Sequence, residues 1–259
     1  MQAMWMPMEL SLSMVLIVVA GVFLAGFMDG IAGGGGIISV PAYLLAGLPA
    51  HLALGTNKLS SCVGTAVSAG RFVRSGYVDW KLALPSILLA MLGASLGTRL
   101  QLMVDERVLQ VLLLAVLPLV ALVVLRQRSL PEERGDIAPG RQRVIVYSAA
   151  LVIGAYDGFY GPGTGTFLVL ILCTLGKLDV RTASGNVKIM NLSSNIGALV
   201  TSLLSGKVFL ALGLIAGLAS IAGHWLGSGL AIKDGSKIVK PAILVVLSLL
   251  AVKVIAELL

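Results

Sequence analysis

The chain has 259 residues, of which 58% are hydrophobic and 12% are charged, and its formal net charge is +7. A soluble domain carries about 25% charged residues, so this composition excludes an ordinary soluble protein and indicates a membrane protein. The positive charge does not indicate nucleic-acid binding, because the lysines and arginines lie between apolar runs, where membrane topology explains them better.

Long uncharged runs recur along the chain at the length that a membrane-spanning helix needs, about 20 residues. They do not alternate apolar and polar residues, as the strands of a membrane β-barrel do. Breaks at glycine, proline and charged residues divide them into ten predicted helices, at residues 11–30, 37–48, 51–74, 79–101, 107–126, 143–160, 164–177, 180–205, 208–231 and 237–258. The sequence therefore predicts an all-α, polytopic membrane protein.

Two further expectations concern the first helix and the two short helices. No Lys or Arg precedes Lys58, so the first helix lacks the basic start of a cleaved signal peptide and is expected to be retained. The helices at 37–48 and 164–177 are short and reach only about 20 Å, against a hydrocarbon core of about 30 Å. We expect them to be either half-helices that enter from one side or short spans beneath a thinned bilayer.

The chain contains an internal repeat, which pairs the motifs GFMDGIAGGGG (26–36) with GAYDGFYGPGTG (154–165) and GTNK (55–58) with GNVK (185–188). The polar stretch QRSLPEERGDIAPGRQ lies between the copies and has the composition of a solvated linker. We therefore expect a first transmembrane repeat at 1–126, a linker at 127–142 and a second repeat at 143–259.

The positions of lysine and arginine predict the orientation. If all ten helices cross, thirteen of these residues outside the motifs face one side and four face the other, whereas the split is ten to seven if the short helices do not cross. Cytoplasmic loops are enriched in Lys and Arg, which favours the first alternative. It places the linker in the cytoplasm and both termini outside. Five crossings per half would make the repeats inverted, with a binding site near the midplane.

The two glycine clusters predict interruptions of helices inside the membrane. Glycine costs about 1 kcal/mol in a helix and proline lacks a donor, and unpaired backbone at this depth is tolerated only against protein or a water-filled cavity. The helix after each break offers free N–H groups and a positive dipole end, which favour an anion. Close packing through small residues is the alternative. The residues assigned to the site are Gly33, Gly34, Gly35, Gly36, Gly161, Gly163, Thr164 and Gly165.

Each half also carries a lysine inside a long apolar helix, where a charge normally faces the bundle interior with a partner. Helical spacing and adjacency select the polar neighbours that would bind an oxyanion such as a carboxylate, sulfite or sulfonate. This substrate-binding set is Asn57, Lys58, Ser61 and Thr65 in the first half, and Asn186, Lys188, Asn191 and Asn195 in the second. Structural Lys–Asp pairs that tie helices together are an equally open alternative.

Asp29 and Asp157 end the helix that precedes each break. The helix dipole and burial disfavour an ionised carboxylate there, whereas a nearby lysine favours it. We expect one or both to exchange protons during transport, which makes protons a coupling partner. His224 has no histidine at its repeat position and His51 lies at a loop edge, so both are expected to be ordinary buried or interfacial residues.

The remaining features indicate scaffold. They are the interfacial pair Tyr77 and Trp80, the G-x-x-x-G pairs Gly93/Gly97 and Gly223/Gly227, and the buried cysteines Cys62 and Cys173. Neither metal-ligand spacing nor a nucleophile–base pair is evident, and GPGTGT lacks the soluble βαβ unit of a dinucleotide fold. We therefore expect no metal, no cofactor and no enzymatic activity.

The motif DGIAGGGG at 29–36, followed by Pro41 and GTNKL at 55–59, resembles the sulfite exporter TauE/SafE-like family of membrane permeases, and YDGFYGPGTG at 156–165 is similar to the family's second motif. The resemblance covers nearly the whole chain. It implies a permease of the bacterial inner membrane for small anions such as sulfite and organosulfonates. It also assigns Asn57, Lys58, Lys188 and the glycine breaks to the pathway. Asn186 is a departure, because similar sequences can carry other polar residues there.

These observations predict a secondary transporter of small oxyanions in the lipid bilayer, working by alternating access without a nucleotide. An anion channel with the same lining is the alternative. A purely structural protein and an intramembrane enzyme are the other classes considered.

Overall fold

The computed structural model describes residues 10–105, 108, 133–235, 237–239 and 241–242. Eight helices have defined bounds in these residues, and no strand is present among them. The helices are α1 Leu12–Ala32, α2 Gly36–Leu45, α3 Ala50–Arg74, α4 Trp80–Met103, α5 Pro139–Phe159, α6 Thr164–Thr174, α7 Val180–Leu204 and α8 Leu210–Asp234. The predicted all-α fold is therefore confirmed. Nearly all of the predicted helices at 107–126 and 237–258 lies outside the described residues.

The surface of the bundle is apolar where a soluble protein would be polar. Four of the described helices, α1, α4, α7 and α8, are long and apolar enough to cross a membrane. On α4 the exposed side chains form a leucine stripe at every fourth position, namely Leu84, Leu88, Leu92, Leu96 and Leu100. Spacing by four places these residues on one helix face, so this face is suited to contact with lipid.

The largest helix contacts join one half of the chain to the other. Helix α1 packs along α8, and α4 packs along α5, while α3 and α7 lie against each other at the centre. Each contact has a counterpart when the helices of the first half are replaced by the equivalent helices of the second half. The contact of α1 with α8 corresponds to that of α5 with α4, and the contact of α3 with α8 corresponds to that of α7 with α4. The two halves are therefore interleaved rather than placed side by side.

Glycine makes the closest helix contacts possible. Gly97 of α4 lies against the backbone of Ala155 in α5, and Gly227 of α8 lies against the backbone of Phe27 in α1. A side chain at either position would overlap a main-chain carbonyl of the neighbouring helix. The G-x-x-x-G pairs thus act in helix packing, as their pattern indicates.

The two short helices are half-helices. With 10 residues in α2 and 11 in α6, they are about 15 to 17 Å long, half of a hydrocarbon core. Helix α2 turns back along α1, so that Leu48 after α2 packs in one cluster with Met14 at the start of α1 and with Leu212 at the start of α8. The hairpin of α1 and α2 therefore begins and ends on the same side of the bundle.

The opposite end of the bundle, here called the linker side, is joined by polar contacts. Arg134 of the linker pairs with Asp79 at 3.4 Å and with Asp179 at 3.5 Å, and these aspartates precede α4 and α7. The N–H of Gly135 donates to the carbonyl of Lys177 at 3.0 Å. The described linker residues and the starts of α4 and α7 therefore lie on the same side of the bundle.

Candidate functional site

The first predicted interruption lies between α1 and α2. The backbone φ is +78° at Gly33 and +89° at Gly34, in the left-handed region that favours glycine. Gly33 also rests against the backbone of Gly165 in the other half, where no side chain would fit. This turn brings the first residues of α2 into the interior of the bundle.

The second interruption, between α5 and α6, repeats this arrangement. The φ values are +94° at Gly161 and +87° at Gly163, with Pro162 between them. The N-cap residues of α2 and α6 are Gly35 and Gly163, which have no side chain to cap the first turn. Instead the N–H of Gly35 donates to Oδ1 of Asp29 at 3.3 Å, which satisfies one of the free donors at the start of α2.

Two buried ion pairs, here called the crossed pairs, connect the halves. Nζ of Lys58 in the first half lies 2.9 Å from Oδ1 of Asp157 in the second. Nζ of Lys188 in the second half lies 3.3 Å from Oδ2 of Asp29 in the first, and it also donates to the Asp29 carbonyl. All four residues are more than nine-tenths buried. Because a buried charge is costly without a partner, each half supplies the counter-charge that the other half needs.

A small cavity of about 30 Å³, here called the central cavity, lies beside the crossed pairs. A void of this size holds about one or two water molecules. Many of the predicted site residues line it, namely Asp29, Gly34, Gly35, Gly36, Asn57, Lys58, Ser61, Thr65, Asp157, Gly161, Thr164, Gly165, Asn191 and Asn195. Residues of α1, α2, α3, α5, α6 and α7 thus meet at one place.

Four predicted residues are not in the cavity lining. Gly33 and Gly163 form the backbone turns, and Lys188 contacts Asp29. Asn186 lies nearer the linker side, where its amide donates to the Thr182 carbonyl at 2.8 Å. The structure therefore brings the asparagines of α7 to different places, with Asn195 at the cavity and Asn186 in the packing of α7.

Lys58 lines the central cavity together with side chains that can form hydrogen bonds. Its Nζ donates to Oδ1 of Asn195 at 3.2 Å, in addition to the pair with Asp157. The neighbouring Asn57 is buried, and its side-chain oxygen has no hydrogen-bond partner among the described residues. An ammonium and amide groups on one small cavity are suited to hold an oxyanion.

Three polar residues lie at the site although the sequence did not assign them to it, and His224 among them was expected to be an ordinary buried or interfacial residue. Nε2 of His224 lies 3.1 Å from Oδ2 of Asp29, and Ser220 lies one turn before it on α8. Ser194 donates to Oδ2 of Asp157 at 2.6 Å. A histidine within a membrane helix was the available signal, because such residues usually face the bundle interior. Its lack of a histidine at the repeat position concealed it.

The other chemistry-bearing residues do not line the central cavity. His51 contacts Gln101 on the side opposite the linker. Cys62 and Cys173 are buried free thiols. Over the part of the chain that the structure describes, no group of three His, Cys, Asp or Glu side chains is placed to hold a metal ion.

The described residues thus define a class of protein, a polytopic α-helical membrane protein with paired interrupted helices around a buried charged cavity. The family model described as "Sulfite exporter TauE/SafE" matches residues 18–254. The chain therefore belongs to the sulfite exporter TauE/SafE family.

Several curated proteins are similar along nearly their whole length. "Probable membrane transporter protein ORF9" of Sinorhizobium sp is 37% identical over 252 residues, which cover 96% of this chain and 95% of that protein. "Probable membrane transporter protein YfcA" of Escherichia coli K12 is 33% identical over 238 residues, covering 90% and 87%. A "Probable membrane transporter protein" of Haemophilus influenzae is 30% identical over 254 residues, covering 96% and 98%. No solved structure matches the chain.

Proposed function

We propose that the chain is a secondary transporter of small sulfur or organic oxyanions, such as sulfite or organosulfonates, and that the central cavity is its binding site. The observation that carries this proposal is the crossed arrangement of Lys58–Asp157 and Lys188–Asp29 beside two interrupted helices. Buried ionisable residues inside a membrane bundle are expensive and usually serve function. Membership of a family named for sulfite export supports an anion as the substrate.

In this proposal an oxyanion competes with Asp157 for Lys58. The ammonium already has two oxygen partners, Asp157 and Asn195, at hydrogen-bonding distance. A substrate oxygen would replace the carboxylate at Nζ, while Asn57 and Asn191 contact the remainder of the molecule. The Lys188–Asp29 pair is the counterpart on the other half of the site.

The central cavity has room for only a water or two, so an oxyanion enters only when helices around it separate. Because the crossed pairs join the two halves, separating Lys58 from Asp157 also loosens the contact between halves. Substrate binding is in this way coupled to movement of one half against the other, which is the requirement for alternating access in an inverted-repeat transporter.

The charge distribution supports the orientation. The basic residues of the described linker side include Arg74, Lys81, Arg134, Lys177 and Arg181, whereas Lys207 lies on the opposite side. The positive-inside rule then puts the linker side in the cytoplasm and both termini outside, in the inner membrane of a bacterium.

The test is flux of radiolabelled sulfite, and of sulfonates and carboxylates in parallel, in proteoliposomes of the purified protein. We expect saturable uptake that falls to the background of empty liposomes in the Lys58→Ala variant. Lys207→Ala is the matched control, because Lys207 is an exposed lysine outside the site. A thermal-shift screen with the same anions measures binding separately, since a bound ligand stabilises the folded state.

Each other class of protein gives a different result. A channel gives flux that does not saturate and depends weakly on temperature. An enzyme converts the anion to product in sealed liposomes. A purely structural protein gives no flux in the wild type, and Lys58→Ala then lowers its thermal stability alone. Any of these three results would overturn the proposal.

A further inference from the structure

The two buried carboxylates have unequal surroundings. Asp157 is held by a lysine and by two hydroxyl groups. Its Oδ1 accepts from Lys58 at 2.9 Å and from the Thr164 hydroxyl at 2.9 Å, and its Oδ2 accepts from the Ser194 hydroxyl at 2.6 Å. Each hydroxyl has one proton and also lies near a backbone carbonyl, Thr164 at 2.7 Å from Gly161 and Ser194 at 3.0 Å from Asn191, so the charged donor to this carboxylate among the described residues is Lys58.

Asp29 instead has a histidine. Its Oδ1 accepts from the N–H of Gly35, and its Oδ2 lies between Nζ of Lys188 at 3.3 Å and Nε2 of His224 at 3.1 Å. Histidine is the side chain that ordinarily gains and loses a proton near neutral pH. A side chain that can take up a proton therefore contacts the Asp29 carboxylate, whereas hydroxyl groups contact the Asp157 carboxylate.

The repeat shows how this difference arose in the sequence. Residue 224 is His where the equivalent residue 94 is Ala, and residue 64 is Gly where the equivalent residue 194 is Ser. A side chain at Gly64 would collide with the Ser220 hydroxyl and with the ring of His224. In one half Ser194 of the lysine-bearing helix reaches the carboxylate, and in the other half Gly64 leaves room for the histidine. The histidine at residue 224 and the glycine at residue 64 are therefore structurally linked.

Hydrogen-bond accounting indicates where protons lie on His224. Nδ1 is 2.9 Å from the carbonyl oxygen of Ser220, which can only accept, so this contact is favourable when Nδ1 carries a proton. The contact of Nε2 with the Asp29 carboxylate also needs a proton. Both contacts are made together only when the ring is protonated at both nitrogens. In the neutral ring one nitrogen presents its lone pair, and the available donors are then the hydroxyl of Ser220, 3.3 Å from Nδ1, and the hydroxyl of Thr65, 3.5 Å from Nε2.

The groups around His224 decide the charge of the site. Asp29 faces it from α1 and Lys188 of α7 reaches the same carboxylate, while from α3 the Thr65 hydroxyl lies 3.5 Å from Nε2. Across the central cavity are Lys58 and Asp157. Two lysines and two aspartates cancel, so the buried cluster is neutral when His224 is neutral and carries one positive charge when His224 is protonated.

We propose that the Asp29–His224 pair is the proton site of the transporter, that Asp157 stays a carboxylate, and that one proton binds together with each monovalent oxyanion. An unpaired buried charge is costly, so the proton on His224 favours the anion at the cavity, and the anion favours the proton by the same factor. The step forms the Nε2–H bond on the imidazole with a proton from water and breaks it on release. This inference rests on the proposed transport of an oxyanion.

The first test needs no substrate, so it remains informative even if the transport proposal fails. The chain has only two histidines, His51 and His224, and the His51→Gln variant leaves one signal to assign. Nitrogen NMR of isotope-labelled histidine in lipid nanodiscs reports the protonation of each ring nitrogen. We expect both ring nitrogens of His224 to be protonated at low pH and the Nε2 proton to be lost as the pH rises.

Two variants separate a specific partner from a general effect of folding. Asp29→Asn changes the titration of His224, because it removes the negative charge beside Nε2. Ser194→Ala, which removes a hydroxyl from Asp157 without a change of charge, leaves that titration unchanged. A ring that stays in one neutral form at every pH, or a titration that Asp29→Asn does not alter, overturns the proposal.

The second test measures the proton that moves with the anion. In proteoliposomes with an entrapped pH dye, methanesulfonate is the probe, because its own charge is constant near neutral pH. We expect the wild type to carry one proton per anion. The triple variant Gly64→Ser/Ser220→Ala/His224→Ala rebuilds the Asp157 arrangement around Asp29, because it removes both side chains that a residue at 64 would meet. Any anion movement that this variant retains is expected to occur without protons. Equal proton movement in this variant overturns the proposal, as does anion movement without protons in the wild type.

Discussion

At the scale of single residues, the crossed pairs unite two interpretations that the sequence left open. A lysine paired with an aspartate of the other half ties helices together, and the same lysine lines the central cavity. Helical spacing predicted which neighbours share its face, but it does not reveal the partner on another helix. A pairing inside each half was equally compatible with the repeat.

A double-mutant cycle separates the contribution of the Lys58–Asp157 pair to stability from its contribution to transport. Removing one partner of a buried pair typically costs about 3–5 kcal/mol, because it leaves an uncompensated charge. We therefore expect Lys58→Met and Asp157→Asn each to lower the melting temperature strongly, and the double variant to regain much of this loss. Sulfite flux should stay absent in the double variant. Recovery of flux with stability would show that the pair is structural only.

The two asparagines of α7 allow a second comparison. Asn195 accepts from Lys58 at the central cavity, whereas Asn186 bonds to the backbone of its own helix. We expect Asn195→Ala to raise the KM for the transported anion at least several-fold, whereas Asn186→Ala affects stability and leaves KM near the wild-type value. Flux assays over a range of anion concentrations measure both. An unchanged KM in Asn195→Ala would remove this residue from the site.

At the scale of elements, the sequence predicted the eight described helices to within four residues at each end. Caps and breaks carry this information locally, since Asp79 and Asp179 accept from the first N–H groups of α4 and α7. The return of α2 along α1 was beyond such signals, because a half-helix and a short span have the same composition. Contacts distant in the chain decide between them.

Close helix packing gives a prediction at this scale. Gly97→Ala and Gly227→Ala each introduce a methyl group against a carbonyl of the facing helix, and overpacking of this kind costs about 1–3 kcal/mol. We expect a lower melting temperature for both in detergent. Gly70→Ala is the matched control, because Gly70 is an exposed helix position with nothing within 4 Å. Its melting temperature should be equal or higher, since alanine favours the helix. Equal values for all three variants would contradict the packing argument.

At the scale of the whole molecule, the repeat was evident in the sequence but its interleaving was not. Matching motifs predicted two halves, and Gly33 against Gly165 now joins their interruptions. The extensive contacts of α1 with α8 and of α4 with α5 depend on tertiary packing that no local pattern encodes. For the same reason the contact of His224 with Asp29 could not be predicted from the sequence.

The orientation in the membrane can be measured with single cysteines. Both natural cysteines are buried, so they contribute little background labelling. Asp136 on the linker side and Ser205 on the opposite side are exposed. An impermeant maleimide applied to intact cells with a permeabilised outer membrane is expected to label Ser205→Cys and not Asp136→Cys, and lysis should expose both. The reverse labelling would invert the proposed topology.

The interleaving of the halves also has a consequence for biosynthesis. A ribosome adds about 5–20 residues per second, so the first half waits in the membrane for roughly ten seconds before the second is complete. During this interval Lys58 and Asp29 lack the partners that they have in the finished protein. We therefore expect proteases to degrade an isolated first half, and we expect expression of the second half from a separate message to stabilise it.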